Sequence, residues 1–334
     1  TSAFGFVAIA TIISSALGDY TTANRMGEMA LRLNEKLGAK RYACKVSFIS
    51  TFFLMHWVRP LRETLDHYRR AYRLGLELGD LIYSGHSITA MLMSRVIMGD
   101  NLDSILADAQ SYKDFITGLK DPFHVNQLNE IIHVCLHLKG LTKGPSSLDT
   151  EEYCLEERLR AMREQGNLLN VFFCLLTKER ALYFAGEFEE AKSIGDELDT
   201  LLDVPTGSYH IVEHVFLRCM SLLAVYPDRS PRERERLLKT VNRHLKKMTR
   251  WAELAPANCE HRALLIRAEI AAALNRGDEA AGLFQQAVES AREYGYTGIE
   301  ALANERAALF YLKRGNRFVG RAYLREAHHV YERW

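Results

Sequence analysis

The residues His210-Ile211-Val212-Glu213-His214 match the H-x-x-E-H pattern of inverted zinc proteases. In that pattern two imidazoles one helical turn apart bind the metal, and the carboxylate activates a water molecule. A zinc site also needs a third protein ligand, and no second element of this sequence identifies one. A zinc hydrolase that uses His210, Glu213 and His214 is therefore one hypothesis, while histidines packed inside a helical pair are the preferred interpretation.

A second pair of histidines, His133 and His137, also stands four residues apart, but no glutamate lies between them. Such histidines belong to a core or a groove more often than to a metal site. Residues 140–146 lack the glycine spacing and the lysine of a phosphate-binding loop. Kinase motifs and a nucleophile elbow are also absent from the sequence. The sequence therefore predicts that the chain is not an enzyme, with no catalytic residue, metal or cofactor.

Residues 229–250 contain nine lysines and arginines opposite an apolar stripe. No aromatic residues alternate with these charges, as base stacking would require, so a solvated helix is favoured over a phosphate-binding surface. Over the whole chain 43 basic residues nearly cancel 42 acidic ones. This balance predicts neither nucleic acid nor an anionic membrane surface as a partner.

The composition is that of a folded cytoplasmic protein. Hydrophobic residues make up 48% of the 334 residues and charged residues 25%. The six cysteines are widely spaced and mostly have apolar neighbours, as expected of reduced core thiols. The apolar stretches 4–17 and 46–58 are too short to span a bilayer, so the predicted location is the cytoplasm.

Only seven prolines occur, and apolar residues recur at three- and four-residue spacing, so nearly the whole chain is predicted to be helical. Glycine followed by a polar residue recurs between these helices and predicts turns, because glycine can end one helix and Asp or Asn can cap the next. The spacing of the turns gives a period of about forty residues and about eight helical pairs. The five predicted turns begin at Gly18, Gly99, Gly186, Gly277 and Gly315.

Small residues recur after three of these turns, where one helix must approach another closely. They follow the pattern Ala23, Gly27, Ala30; Ala191, Gly195, Leu198; and Gly320, Leu324, Ala327. This pattern resembles the tetratricopeptide repeat, with longer units. The resemblance implies one all-α domain over residues 1–334, an α-α superhelix in which each pair is buried by its neighbours. Because both ends are apolar, we expect the sequence to be a segment of a longer protein, with a further repeat covering Trp334.

Several longer strings resemble the helical-repeat region of large bacterial signalling ATPases. In that family a protein-kinase-like domain and a STAND-type, AAA-related ATPase precede the repeats, and sensor or histidine-kinase modules often follow them. The resemblance implies a regulatory role in which the superhelix receives a ligand or partner and biases the nucleotide-driven switch. The strings are residues 57–65, 79–86, 98–102, 212–216, 300–305 and 331–334.

The main hypothesis is a module that binds a protein partner, or the adjoining ATPase or kinase domains, in a concave groove. The alternative is a superhelix that binds a small-molecule effector. The candidate groove residues are polar and aromatic side chains within otherwise apolar helices. They are His56, Trp57, Tyr83, His86, Arg95, His133, Glu213, His214, Arg218, His261, Arg267, Asn304 and Glu305.

Overall fold

A computed structural model describes residues 3–334, and within that range the chain forms sixteen α-helices and no strand. The first eight are α1 Ala3–Ile12, α2 Tyr20–Lys36, α3 Ala43–Phe53, α4 Thr64–Leu78, α5 Leu81–Met98, α6 Leu102–Gly118, α7 Pro122–Leu138 and α8 Leu155–Glu164. The others are α9 Leu168–Ala185, α10 Phe188–Asp199, α11 His210–Val225, α12 Pro231–Leu254, α13 Pro256–Ala273, α14 Gly277–Glu293, α15 Thr297–Lys313 and α16 Arg317–Arg333. The all-α prediction is confirmed, and sixteen helices are the number that eight pairs require.

The chain divides into two compact units. Unit 1 contains the described residues up to Val96, then Asp103–Thr177 and Thr200–Ile211. Unit 2 contains Ile97–Leu102, Lys178–Asp199 and Val212–Trp334. The single superhelical domain inferred from the sequence stays a prediction.

Consecutive helices pack against each other within each unit. In unit 1, α1 to α4 contact one another in chain order, and α1 also contacts α3. In unit 2 the same order holds from α12 to α16, and α13 also contacts α15. Packing of each helix against the next one in the chain is the arrangement expected of stacked helical repeats.

Small residues allow the close approaches that the sequence predicted. A Cβ atom on Gly27 would lie 2.7 Å from Leu54 Cδ1, and one on Gly195 would lie 2.8 Å from Glu179 Oε1. A Cβ on Gly320 would lie 2.7 Å from Leu312 Cγ. A larger residue at any of these three positions would therefore displace the neighbouring side chain.

The predicted packing position is wrong at Leu324, which is 46% exposed. Only a narrow stripe of α16, formed by Gly320, Ala327 and Val330, is buried. Leu324 lies outside that stripe, so its bulk contributes nothing to the packing face.

The turns at Gly18 and Gly315 form as predicted. Both glycines have positive φ, 63° and 80°. Behind them the Asp19 side chain accepts a hydrogen bond from Thr22 N at 3.0 Å, and Asn316 accepts one from Val319 N at 3.2 Å. Each turn thus ends one helix with glycine and caps the next with a polar side chain.

The prediction for Gly277 is wrong, because the left-handed residue there is Asn275, with φ of 58°. Asparagine tolerates this conformation better than most residues do. Gly277 is instead the first residue of α14, and a Cβ on it would lie 2.5 Å from Arg314 Nη2. Glycine at this position makes room for the guanidinium group.

The C-terminal indole of Trp334 has neighbours within unit 2. Its ring centroid lies 5.9 Å from that of Phe184 and 6.3 Å from that of Tyr331. Its carbonyl accepts a hydrogen bond from Leu102 N at 2.9 Å. These contacts bury the side chain only in part, and its coverage by a further repeat stays a prediction.

All six cysteines are free thiols, and five of them are buried. None of the helices between residues 3 and 334 has both the length and the apolar character that crossing a membrane requires.

Replacing Gly99 by alanine should destabilise unit 2 by about 3 kcal/mol. Gly99 has φ of 76°, and a Cβ on it would lie 2.4 Å from Gly298 N. The left-handed conformation costs about 1–2 kcal/mol for an alanine, and the clash with backbone adds about 1–3 kcal/mol. Urea unfolding followed by circular dichroism measures the loss.

Gly186→Ala is the matched control, because Gly186 has φ of 84° and its Cβ would meet no atom of the described residues within 4 Å. We expect only the conformational cost, about 1–2 kcal/mol. Equal losses in the two variants would contradict the close approach at Gly99.

Candidate functional site

Unit 1 contains a cavity of about 280 Å³. Helices α3, α5 and α7 each turn a stripe of side chains toward it, and α9 and the segment before α11 complete the wall. The lining residues are Phe48, Ile49, Phe52, Phe53, Tyr83, His86, Thr89, Ala90, Met93, Phe123, Gln127, Glu130, Ile131, Leu169, Phe173, Val204, Pro205, Ser208 and His210.

Aromatic rings form much of the wall. The ring of His86 lies 5.3 Å, centroid to centroid, from each of Phe48, Tyr83 and Phe123. The rings of Phe173 and His210 are 4.4 Å apart. Such a surface binds apolar groups and offers the negative ring faces that attract cations.

Glu130 places a carboxyl group in this aromatic wall. Its side chain is 1% exposed, and neither oxygen has a hydrogen-bond partner among the described residues. Burial raises the pKa of Glu130 well above its ordinary value, against an opposing effect of the Arg158 charge. The carboxyl group is therefore neutral in this surrounding, because an isolated charge would lose its hydration without compensation. The buried hydroxyl of Ser208 likewise has no partner in the described part of the chain.

A chain of polar contacts fixes the protonation of His86. Asp121 Oδ2 lies 2.5 Å from His124 Nδ1, and His124 Nε2 lies 3.1 Å from His86 Nδ1. Burial, and then the neighbouring His124, lower the pKa of His86 to about 3, so this ring is neutral. The contact with His124 thus holds a neutral imidazole ring in the wall of the cavity.

Two of the thirteen groove candidates, Tyr83 and His86, line this cavity. The other unit 1 candidates lie elsewhere. Trp57 is buried, donates a hydrogen bond from Nε1 to Gly207 O at 3.2 Å and has His56 beside it. Arg95 is paired with Asp108, and His133 is stacked on Tyr153 at 3.7 Å. Whether these residues serve a groove stays a prediction.

In unit 2 the candidate Glu213 belongs to a buried ionic network. It accepts hydrogen bonds from Arg180 at 2.7 Å and from Arg262, a side chain with no exposed surface. These residues lie on α11, α9 and α13, so the network joins three helices of the unit. His261, next to Arg262, is fully buried and packs on Tyr296 with ring centroids 4.2 Å apart.

His214 and Arg218 form a second part of this network. Nδ1 of His214 lies 3.1 Å from Glu179, and Nε2 lies 3.1 Å from Asp199. Burial alone would lower the pKa of His214, but these two carboxylates outweigh it and raise the pKa to about 9. Arg218 donates to Asp196 and to Asp199.

The remaining candidates are three residues of unit 2. Asn304 is buried and donates to Glu300 O at 2.9 Å. Glu305 accepts a hydrogen bond from Tyr331 Oη at 2.7 Å. Arg267 is exposed. The groove role of these side chains also stays a prediction.

The zinc hypothesis finds no support in the geometry. Glu213 is engaged by two arginines and His214 by two carboxylates, as described above. Within residues 3–334 no group of three histidine, cysteine or acidic side chains could hold a metal ion.

Sequence reasoning missed Glu130, Phe48, Phe52 and Phe123 as site residues. One signal was present: an acidic residue and an amide lie at helical spacing on an apolar helix, at Glu130 and Gln127. Spacing alone could not show that three helices bring such stripes around one cavity.

Comparison with protein-family models found no match for this chain, and comparison with curated proteins found none either. Inference about function therefore starts from the chemistry of the cavity and from the sequence resemblance.

Replacing Glu213 by alanine should destabilise the protein by about 3–5 kcal/mol, because Arg180 and Arg262 would keep buried charges without a carboxylate. Chemical unfolding measures the loss. Glu279→Ala is the control, since its ion pair with Arg276 is half exposed on both sides. We expect a change below about 1 kcal/mol there, and a similarly small change at Glu213 would contradict the network.

The stabilisation by His214 should depend on pH. The pKa of this histidine is about 9 in the folded protein and about 6.5 in the unfolded chain. Its charged form therefore stabilises the fold fully below about pH 6.5, and this stabilisation is lost as the pH rises through about 9. The difference in unfolding free energy between the wild type and His214→Gln should therefore fall by about 3 kcal/mol across that range. Unfolding series at several pH values measure it.

His328→Gln is the control for this series, because His328 is an exposed histidine of the same unit. The difference in unfolding free energy between His328→Gln and the wild type should stay nearly constant with pH. A constant difference for His214→Gln as well would show that this side chain is not held as a cation.

Proposed function

We propose that this chain is the sensory part of a signalling protein and that it binds a small molecule in the cavity of unit 1. One observation carries the proposal: the carboxyl group of Glu130 is buried in an aromatic wall and has no hydrogen-bond partner within residues 3–334. A buried polar group that lacks a hydrogen bond costs about 1–3 kcal/mol. A ligand that supplies the missing partner recovers that cost as binding free energy.

The cavity has the general character of small-molecule sites. Such sites are concave and mostly apolar, with a few polar groups that fix orientation. Here the polar groups are Glu130, His86 and Ser208, while Thr89 and Gln127 hold each other through a hydrogen bond of 2.7 Å. The proposed role is binding rather than catalysis.

The context of the proposal comes from the sequence strings that resemble the repeat region of signalling ATPases. In this context the protein is cytoplasmic, and its partners are adjoining ATPase or kinase domains of the same polypeptide or a separate protein. Ligand binding would favour one arrangement of the helices over another. Only the difference in ligand affinity between the two arrangements can drive the output.

A fragment library screened by thermal shift tests the proposal. Ala90 is buried and lines the cavity, so Ala90→Leu fills part of it. Ligands should stabilise the wild type by about 2.7 kcal/mol at a concentration about 100 times Kd, and this effect should be lost in Ala90→Leu.

Ala161→Leu is the matched control, because Ala161 is an exposed residue of α8 in the same unit. It should keep the response of the wild type. Circular dichroism confirms that both variants are folded. A library in which no compound stabilises the wild type more than Ala90→Leu would refute the proposal.

A further inference from the structure

We propose that the ligand of the unit 1 cavity is a protonated amine carried on an aromatic or aliphatic body, with its ammonium group on Glu130. This inference rests on the proposed function and adds the chemical class of the ligand. It is argued from the charge, the hydrogen-bonding capacity and the rings of the wall.

The charge of the wall favours a cation. Neither lysine nor arginine is among the described residues that line the cavity, and Glu130 is its one acidic residue. An anionic ligand would therefore meet no opposite charge and would place a second acidic group beside Glu130. An ammonium group instead gives the buried carboxylate an ion pair, which none of the described residues lining the cavity provides.

The hydrogen-bonding groups also match an ammonium, which has three donors and no acceptor. The Glu130 carboxylate offers two acceptor oxygens, neither of which has a partner among the described residues. The Ser208 hydroxyl adds a further acceptor in the same wall. An acceptor ligand could use the single O–H of the neutral Glu130 and the hydroxyl of Ser208, but only a cationic donor pairs with the carboxylate form and both of its oxygens.

The rings account for the rest of the ligand. Phe48, Phe52 and Phe173 present an apolar surface suited to an aromatic or aliphatic body. A cation near such ring faces gains further attraction, which is larger where water is excluded. The ammonium and its body thus both find complementary surface in one cavity.

Binding of the amine must release a proton. Free Glu130 holds a neutral carboxyl group, and the ammonium pairs with the carboxylate, so the carboxyl O–H bond breaks and its proton passes to the solvent. The ionisable groups around Glu130 are Arg158, Tyr153 and the two cavity histidines, His86 and His210. Arg158 favours the carboxylate, while burial opposes it more strongly.

Calorimetric titration with three probes of one shape tests the inference: 2-phenylethylamine, 2-phenylethanol and phenylacetate. The amine should bind at least about 10-fold more tightly than the other two. In Glu130→Gln the affinity for the amine should fall at least about 30-fold, while that for the alcohol should change less than about 3-fold. Glu164→Gln, on the exposed end of α8, should behave as the wild type does.

Proton release provides a second measurement that needs no variant. The wild type is titrated with the amine at about pH 6 in two buffers of different ionisation enthalpy. The difference between the two heats should correspond to the release of close to one proton per amine bound. The alcohol should show none. This result distinguishes an amine that forms an ion pair with Glu130 from one that binds only through its phenyl ring.

Three outcomes would overturn the inference. They are tighter or equal binding of the alcohol or the acetate, amine binding without proton release, and failure of all three probes while fragments from the library bind. Each of these leaves the proposed small-molecule site standing. Failure of the library as well as the probes would remove both proposals.

Discussion

Burial of ionisable side chains between closely packed helices is the constraint on which the rest of this structure depends. A charge taken out of water must be paired, or it must be neutralised. In unit 2 the charges are paired: Glu213 lies between Arg180 and Arg262, and His214 contacts two carboxylates. These pairs join residues of α9, α10, α11 and α13 within unit 2. The network therefore explains why so many polar residues lie inside apolar helices.

Unit 1 meets the same constraint by neutralisation. Glu130 has no partner among the described residues, and its raised pKa keeps it neutral. His86 is neutral as well, held by His124, which can approach because Gly85 has no side chain; a Cβ there would lie 2.9 Å from His124 Cδ2. The proposed amine would convert this neutral acid into a carboxylate by pairing with it. The missing side chain of Gly85 thus allows the close contact between His124 and His86 in the cavity wall.

Helix content and turns followed from local features of the sequence. Apolar spacing predicted helices, and glycine with a capping residue predicted the turns at Gly18 and Gly315, because both effects involve residues only a few positions apart. The same logic failed at Gly277, because Asn275 is the left-handed residue of that turn and the space at Gly277 is taken by the side chain of Arg314, which lies far away in the sequence. It failed also at Leu324, whose exposure depends on how much of α16 a neighbouring helix covers.

By itself the sequence determined that the chain is helical and which glycines permit a close approach. It also showed that Tyr83 and His86 are polar residues in an otherwise apolar helix. The tertiary structure decided which of the candidate side chains pair with each other and which face a cavity. It placed Glu213 between two arginines and left Glu130 without a hydrogen-bond partner among the described residues. The physical reason is distance along the chain: helix propensity acts within one or two turns, whereas the partner of a buried charge comes from a residue far away in the sequence.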